Sequence, residues 1–142
     1  MSRILGIDYG DARVGVAITD ALNITAQGLE TIQRNNSDKI VLRRLDEIFE
    51  QYDVDTIVVG MPYNMNGTKT ERAEVTEKFI HKLSCKYPGK KIVTVDERLT
   101  TVAAHKTMNF LDVNKKKKRS IVDTISAVYI LEMFLGTDSK NT

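Results

Sequence analysis

The sequence predicts one α/β domain built on a mixed five-stranded sheet, three antiparallel strands followed by two parallel ones, flanked by helices. Three observations carry that expectation. Apolar residues in the first 33 positions come in short runs and then in a period of two, the mark of strands joined by tight turns. From Asp38 the period becomes helical, and helices then alternate with two short apolar runs, residues 55–59 and 91–95. The chain has 142 residues, 42% hydrophobic and 28% charged, which suits a single core of the usual size, about 100–200 residues.

Each element follows from its local pattern. Residues 3–9 carry Ile4, Leu5 and Ile7 and stop at Gly10-Asp11, a hairpin turn. Residues 12–20 alternate, with Val14, Val16 and Ile18 apolar and Gly15, Ala17 and Thr19 between them. A third strand runs from Ile24 to Gln33, and Asn35-Asn36-Ser37 supplies a turn and a helix N-cap. Ile40, Val41, Leu45, Ile48, Phe49 and Tyr52 then fall on one helical face. The β-branched run Thr56 to Val59 reads as a strand buried on both sides, ending in Gly60-Met61-Pro62 and a polar loop, Asn64 to Thr68. Residues 69–87 form a helix with Ala73, Val75, Phe79, Ile80 and Leu83 inward, stopped by Pro88-Gly89. Lys91 to Val95 is the last strand. A short helix over 100–109, a basic loop over 111–118 and a final helix over 119–135 complete the order. Residues 1–136 thus read as one domain and 137–142 as a disordered tail.

Composition narrows the function. Twenty-one basic against 19 acidic residues leave a net charge of +2, so attraction for nucleic acid has to come from local clustering. The single cysteine, Cys85, excludes an internal disulfide, and with two histidines it cannot complete a Cys/His zinc site. The N-terminus lacks a signal-peptide pattern and no apolar run approaches the ~20 residues of a membrane span, so a cytoplasmic protein without membrane contact is expected. Neither glycine-containing loop has the spacing of a phosphate-binding P-loop. The hairpin from Asp8 to Asp20 is similar to the one that cradles phosphate in actin–hexokinase–Hsp70 ATPases. Those enzymes close two such domains around a nucleotide, and this chain holds one copy.

Three carboxylates stand where an open sheet gathers ligands. Asp8 is near the end of the first strand, Glu97 follows the last strand, and Asp123 lies in the first turns of the final helix. With the first strand central, Asp8 and Glu97 come from neighbouring strands aimed at one rim. Acids ~4 Å apart repel by about 4 kcal/mol per pair at an effective dielectric near 20, so such a cluster takes up protons or divalent cations. All-oxygen donors suit Mg²⁺ or Mn²⁺, and one or two such ions would activate water against a phosphodiester. Each acid also has a structural reading: Asp8 as a turn cap, Glu97 as a surface partner of Arg98 or a lysine, and Asp123 as the fourth member of a capping box, Ser120 to Asp123. Asp96 and Glu97 point to opposite faces of an extended strand, so at most one of them faces the site. Lys115, Lys116, Lys117, Lys118 and Arg119 form the densest charge in the chain. They read either as a solvated loop or as a phosphate-binding patch beside Asp123.

The run Gly6-Ile7-Asp8-Tyr9-Gly10-Asp11-Ala12-Arg13-Val14-Gly15-Val16-Ala17 resembles the opening signature of the YqgF/RuvX family. Val59-Gly60-Met61-Pro62 with Asn64 to Thr68, then Asp96 to Thr101 with Ala103-Ala104, match its two central motifs. Lys118 to Leu131, with Asp123 and Ala127, matches its last. The matches fall in order over nearly the whole chain. The resemblance implies a ribonuclease H-like fold and a nuclease, described either as a Holliday junction resolvase or as a maturase of the 5′ end of pre-16S ribosomal RNA. It implies Asp8, Glu97 and Asp123 as metal-binding acids and Arg13 and Arg98 as phosphate contacts. Thr100 or Thr101 would cap the next helix or touch the nucleic acid backbone. Asn66 departs from the aspartate usual in the family's loop motif, and no acid ends the strand at Gly60, so Glu97 takes that ligand's place. The partner is structured RNA or branched DNA. A non-catalytic RNA- or ribosome-binding factor on the same fold is the alternative. A resolvase making two coordinated cuts should be a symmetric dimer; RNA-end processing needs one site, and the sequence leaves monomer and homodimer both open.

Overall fold

The computed structural model describes residues 2–64, 66–96 and 115–140, with side chains in the last segment described from 123 to 136. Its strands are β1 (Arg3–Tyr9), β2 (Arg13–Thr19), β3 (Ala26–Gln33), β4 (Val54–Met61) and β5 (Lys91–Asp96). Its helices are α1 (Asp38–Gln51), α2 (Glu71–Lys86) and α3 (Lys115–Lys140). The strands form one sheet in the order β3-β2-β1-β4-β5, antiparallel among the first three and parallel from β1 through β4 to β5. The expected mixed sheet is therefore present, with β1 at its centre. Among the described residues no helix is long and apolar enough to cross a membrane.

Alternation along the strands divides the molecule into two layers of packing. Leu5, Ile7, Val14, Val16, Ile18, Ile57 and Val59 point to one face, where Val41, Leu45 and Ile48 of α1 and Phe79 and Leu83 of α2 close over them. Ala17 and Val58 point to the other, against Ala127, Ile130 and Leu131 of α3. Ile57, Val58 and Val59 are all fully buried, as a strand sandwiched between layers requires. Two residues expected inside lie at the surface: Ile40 is 40% exposed and Val75 39%. Each sits at the margin of its helix's apolar arc, and Thr76 is buried in the place expected for Val75.

Three further expectations are corrected. Helix α3 begins at Lys115, so residues 115–118 are helical backbone and not loop; long unbranched lysines are good helix formers, and the packed apolar stretch downstream sustains the helix they open. The same helix continues to Lys140, past Gly136, because one glycine without a following proline does not stop it. Lastly, β4 lies between β1 and β5, so Asp8 and the end of β5 belong to strands two places apart, about 10 Å, although both strands end at the same rim. Ser37 does occupy the cap position of α1, but its side chain makes no capping bond. The turn before it is made by Asn35 and Asn36, both left-handed at φ 49° and 58°, a conformation that asparagine tolerates best among residues with a side chain. The expected helix over 100–109 falls outside the described residues.

Candidate active site

The site is organised by a glycine-lined crossing of α3 over the sheet. Register pairs Gly6 with Ala17 and Ala17 with Gly28, a row of minimal side chains across β1, β2 and β3. The next row toward the rim is Asp8, Gly15 and Thr31. A Cβ on Gly6 would lie 3.0 Å from the carbonyl oxygen of Ala127, one on Gly28 2.2 Å from Cγ2 of Thr124, and one on Gly15 2.0 Å from the carbonyl oxygen of Asp123. Larger residues at Gly6 or Gly15 would meet helix backbone and lift α3 off the sheet, whereas at Gly28 the contact is the end of the Thr124 side chain. A hydrogen bond of 3.0 Å between the Thr31 and Thr124 hydroxyls fixes its rotation at the β3 side.

That crossing brings Asp8 and Asp123 to one place. Asp8 pairs directly with Gly15, and Asp123 sits on Gly15, its own Cβ 3.1 Å from where a Gly15 Cβ would be. Asp8 shares parity with Gly6 and so belongs to the α3 face. The capping explanation of Asp123 does not hold: α3 starts eight residues earlier, and Ser120 is inside the helix. Instead, Asp123 accepts at Oδ2 from Nε of Arg13 at 2.6 Å, with the two side chains 28% (Arg13) and 19% (Asp123) exposed. The arginine that the resemblance assigns to phosphate is thus held by an acid that it assigns to metal.

The end of β1 is fixed from the opposite face. The Tyr9 hydroxyl donates to Oδ1 of Asp38 at 2.5 Å, Arg34 to the same oxygen at 2.8 Å, and Lys82 to Oδ2 at 2.7 Å. The Tyr9 ring stacks on Phe79 with centroids 4.2 Å apart. Burial, with the Asp38 carboxylate next, pushes the Tyr9 phenol well above its usual range, so it stays a donor. Burial alone would raise the Asp38 carboxyl, but bonds from Lys82, Tyr9 and Arg34 outweigh it and hold the group below the usual carboxylate range. Asp8 thus rides on a strand whose next residue is pinned.

Across the rim, the loop after β4 folds on itself. Asn64 donates its backbone amide to the Thr68 carbonyl and its side-chain amide to the Thr68 hydroxyl, and Gly67 takes a left-handed φ of 87°. Oδ1 of Asn66 accepts from the Thr68 amide at 3.1 Å and its hydroxyl at 2.7 Å. The loop uses an acceptor oxygen at position 66, which an amide supplies as a carboxylate would. Thr70 caps α2 by accepting from the Ala73 amide at 2.9 Å, and Arg72, in the first turn, reaches the Tyr9 carbonyl at 3.3 Å. Sequence reasoning passed over Arg72, because Glu71-Arg72-Ala73-Glu74 has the look of an ordinary solvated turn.

Glu97 and Arg98 lie outside the described residues. Among the described residues no three acids or other metal-binding side chains converge. The donors that are described do suit a hard divalent cation: two carboxylates on one face with no thiol or imidazole between them. A buried polar group is also available nearby. Ser126, 1% exposed and one turn after Asp123, has a hydroxyl without a hydrogen-bond partner among the described residues. Lys115 to Arg119 occupy the first turns of α3, about 6–12 Å of helix before Asp123, beyond the rim over which a ligand would lie.

Comparison with known proteins gives a consistent picture. A family model described as RuvX, Holliday junction resolvase, matches residues 2–137. A protein of Ruminiclostridium cellulolyticum named "Putative pre-16S rRNA nuclease" is 56% identical over 139 residues, 98% of this chain and 97% of its own length. One of the same name from Acetivibrio thermocellus is 47% identical over 138 residues, 97% and 98% of the two chains. The structure of T. thermophilus RuvC in complex with a Holliday junction substrate superposes with a TM-score of 0.51 at 11% identity, over 94% of this chain and 96% of that one. The yeast mitochondrial Holliday junction resolvase Ydc2 gives 0.55 at 10% identity, over 94% and 78%. At such identities the two structures speak for the fold, which is the ribonuclease H-like one. On the family match and the close relatives together, this chain belongs to the RuvX family.

Proposed function

We propose that this chain is a cytosolic, divalent-cation-dependent endonuclease that cuts structured RNA, with pre-16S ribosomal RNA as its substrate. The observation that carries the reading is the seating of Asp123 on Gly15, the residue paired with Asp8, which sets two carboxylates side by side at the C-terminal rim of the central strand. The substrate follows from the name shared by relatives 56% and 47% identical over nearly the full chain.

Asp8, Asp123 and Glu97 would hold Mg²⁺ or Mn²⁺. Glu97 is included because the family resemblance makes it a metal-binding acid and it follows Asp96 in sequence, the last residue of β5, a strand that ends at the same rim as β1. When bound, such a cation supplies an activated water and neutralises charge on the leaving oxygen. The protein's own contribution is placement. The Tyr9–Asp38 anchor fixes the strand that carries Asp8, and the glycine crossing fixes Asp123 against it. Arg13 neutralises Asp123 in the free protein and becomes a phosphate contact on leaving it. Arg98 and the lysines at the start of α3 extend the grip along the backbone of the nucleic acid.

The test is cleavage of an end-labelled precursor rRNA leader by wild type and Asp8→Asn, with Mg²⁺, Mn²⁺ or EDTA. Metal-dependent cutting by wild type and none by the folded variant is expected. Equal cutting by a clean Asp8→Asn preparation overturns the mechanism. The family description favours a second substrate, the four-way DNA junction, which runs beside the RNA. Absence of cutting on either, with salt-sensitive binding retained, points to a binding factor without chemistry.

A further inference from the structure

The charged groups around the rim differ in whether their charge is already matched. Arg13 is paired with Asp123, Arg34 with Asp38, and Lys69 with Glu77 at 2.6 Å. Arg72 is exposed and makes no ion pair with a carboxylate among the described residues. Its one described bond, from Nη2 to the carbonyl of Tyr9 at 3.3 Å, attaches it to the residue after Asp8. That carbonyl lies beyond the last rung between β1 and β4, which is Ile7 with Val59. Gly10 bonds across to Arg13, and by antiparallel alternation the Tyr9 carbonyl points away from β2 toward β4. The guanidinium therefore sits over the gap between the ends of β1 and β4. One carbonyl engages one of its five N–H donors.

We propose that Arg72 is a phosphate-contacting residue of the nucleic acid site, holding the backbone on the β4 side of Asp8 while Arg13 serves the β2 side. This role for Arg72 rests on the nuclease function proposed above and adds a residue that the family resemblance does not single out. Two arginines from different elements, β2 and α2, flank the strand end that carries Asp8, one on each side. A planar guanidinium with unmatched charge and spare donors is well suited to a phosphodiester oxygen pair, and the Tyr9 carbonyl orients it in advance. A purely structural role, satisfying a strand-end carbonyl, would need a donor but no charge. That difference is what an experiment can separate.

Binding of a hairpin RNA and a four-way DNA junction is measured in EDTA as a function of salt, for wild type, Arg72→Lys and Arg72→Gln, with thermal melting of each protein. Glutamine keeps a donor for the carbonyl and removes the charge. The expected result is a log–log salt slope shallower by roughly 0.7–0.9 in Arg72→Gln, near wild type in Arg72→Lys, with melting unchanged in both. Over a fourfold rise in salt, this makes the glutamine variant roughly threefold less sensitive than wild type. An unchanged slope in Arg72→Gln overturns the proposal, and an unchanged slope with a lowered melting temperature identifies a structural tie. If wild type binds neither probe, both this inference and the nuclease reading fall. If it binds and shows the slope change but never cuts in Mg²⁺, Arg72 stands and the catalytic reading alone falls. The probe bound more tightly by wild type at the same salt concentration identifies the preferred backbone.

Discussion

Arg13 and Asp123, 110 residues apart, form a 2.6 Å ion pair at the point where α3 crosses β2, and this pair occupies one of the two carboxylates at the rim. It neutralises a charge that would otherwise face Asp8 alone. Any cation entering between the acids competes with the guanidinium for Asp123. Removing Arg13 should therefore have two opposite effects. Arg13→Ala is expected to lower stability in EDTA by about 1–3 kcal/mol, since a partly buried acid loses its partner. It is expected to tighten Mn²⁺ binding about threefold to tenfold, the scale of a partly exposed ion pair, ~1 kcal/mol. Melting in EDTA and electron paramagnetic resonance of free Mn²⁺ measure the two. No change in either would make the pair incidental to the site.

Gly15 is the pivot of the same arrangement, and its substitution should hurt activity more than folding. An alanine methyl would stand 2.0 Å from the Asp123 carbonyl oxygen, so the helix backbone must move. Overpacking of this kind costs about 1–3 kcal/mol, but a displacement near 1 Å at the carboxylate proposed to hold the cation should lower turnover about 100-fold. Gly28→Ala is the control. Its methyl meets Cγ2 of Thr124 at 2.2 Å, the end of a side chain that can rotate, on the edge strand away from Asp8. Comparable melting temperatures with a large activity gap between the two variants are expected. Wild-type turnover in Gly15→Ala would show that Asp123 need not be held against the sheet.

The sheet and most helices were legible because burial leaves a local record. Val14, Val16 and Ile18 alternate, and Val41, Leu45 and Ile48 recur at helical spacing, whichever neighbours they pack on. Strand order is not a local property, so the insertion of β4 between β1 and β5 could not be read from spacing. The lysine run was misread for a different reason: charge density suggests solvent, yet Lys115 to Lys118 have good intrinsic helix propensity and a packed helix to extend. Of the candidate site, Asp8 was legible as an acid near a strand end and Asp123 as an acid early in the last helix, whereas their common support was not. Gly6, Gly15 and Gly28 acquire meaning only when three strands lie side by side beneath α3. Arg72 was hidden likewise, since its partner Tyr9 is 63 residues away.

Asp38 should make the molecule acid-sensitive at the strand that carries Asp8. Its carboxylate collects bonds from Tyr9, Arg34 and Lys82, and these hold it below the ordinary carboxylate range against the opposing pull of burial. A group depressed in the folded state stabilises the protein above its unfolded pKa of about 4, and that contribution is lost as pH falls through the lower folded value. Wild type should thus lose stability progressively below about pH 4. Asp38→Asn cannot titrate there. At pH 7 it should be less stable by about 1–3 kcal/mol, having lost charge-assisted bonds from two cations and a phenol. Its stability curve should be flatter through the acid window, so the gap to wild type narrows as pH falls. Urea unfolding at a series of pH values measures both curves. A constant gap down to acid pH would show that the carboxylate's charge does not anchor Tyr9, and the pinning of the β1 end would then rest on the stacking of Tyr9 against Phe79.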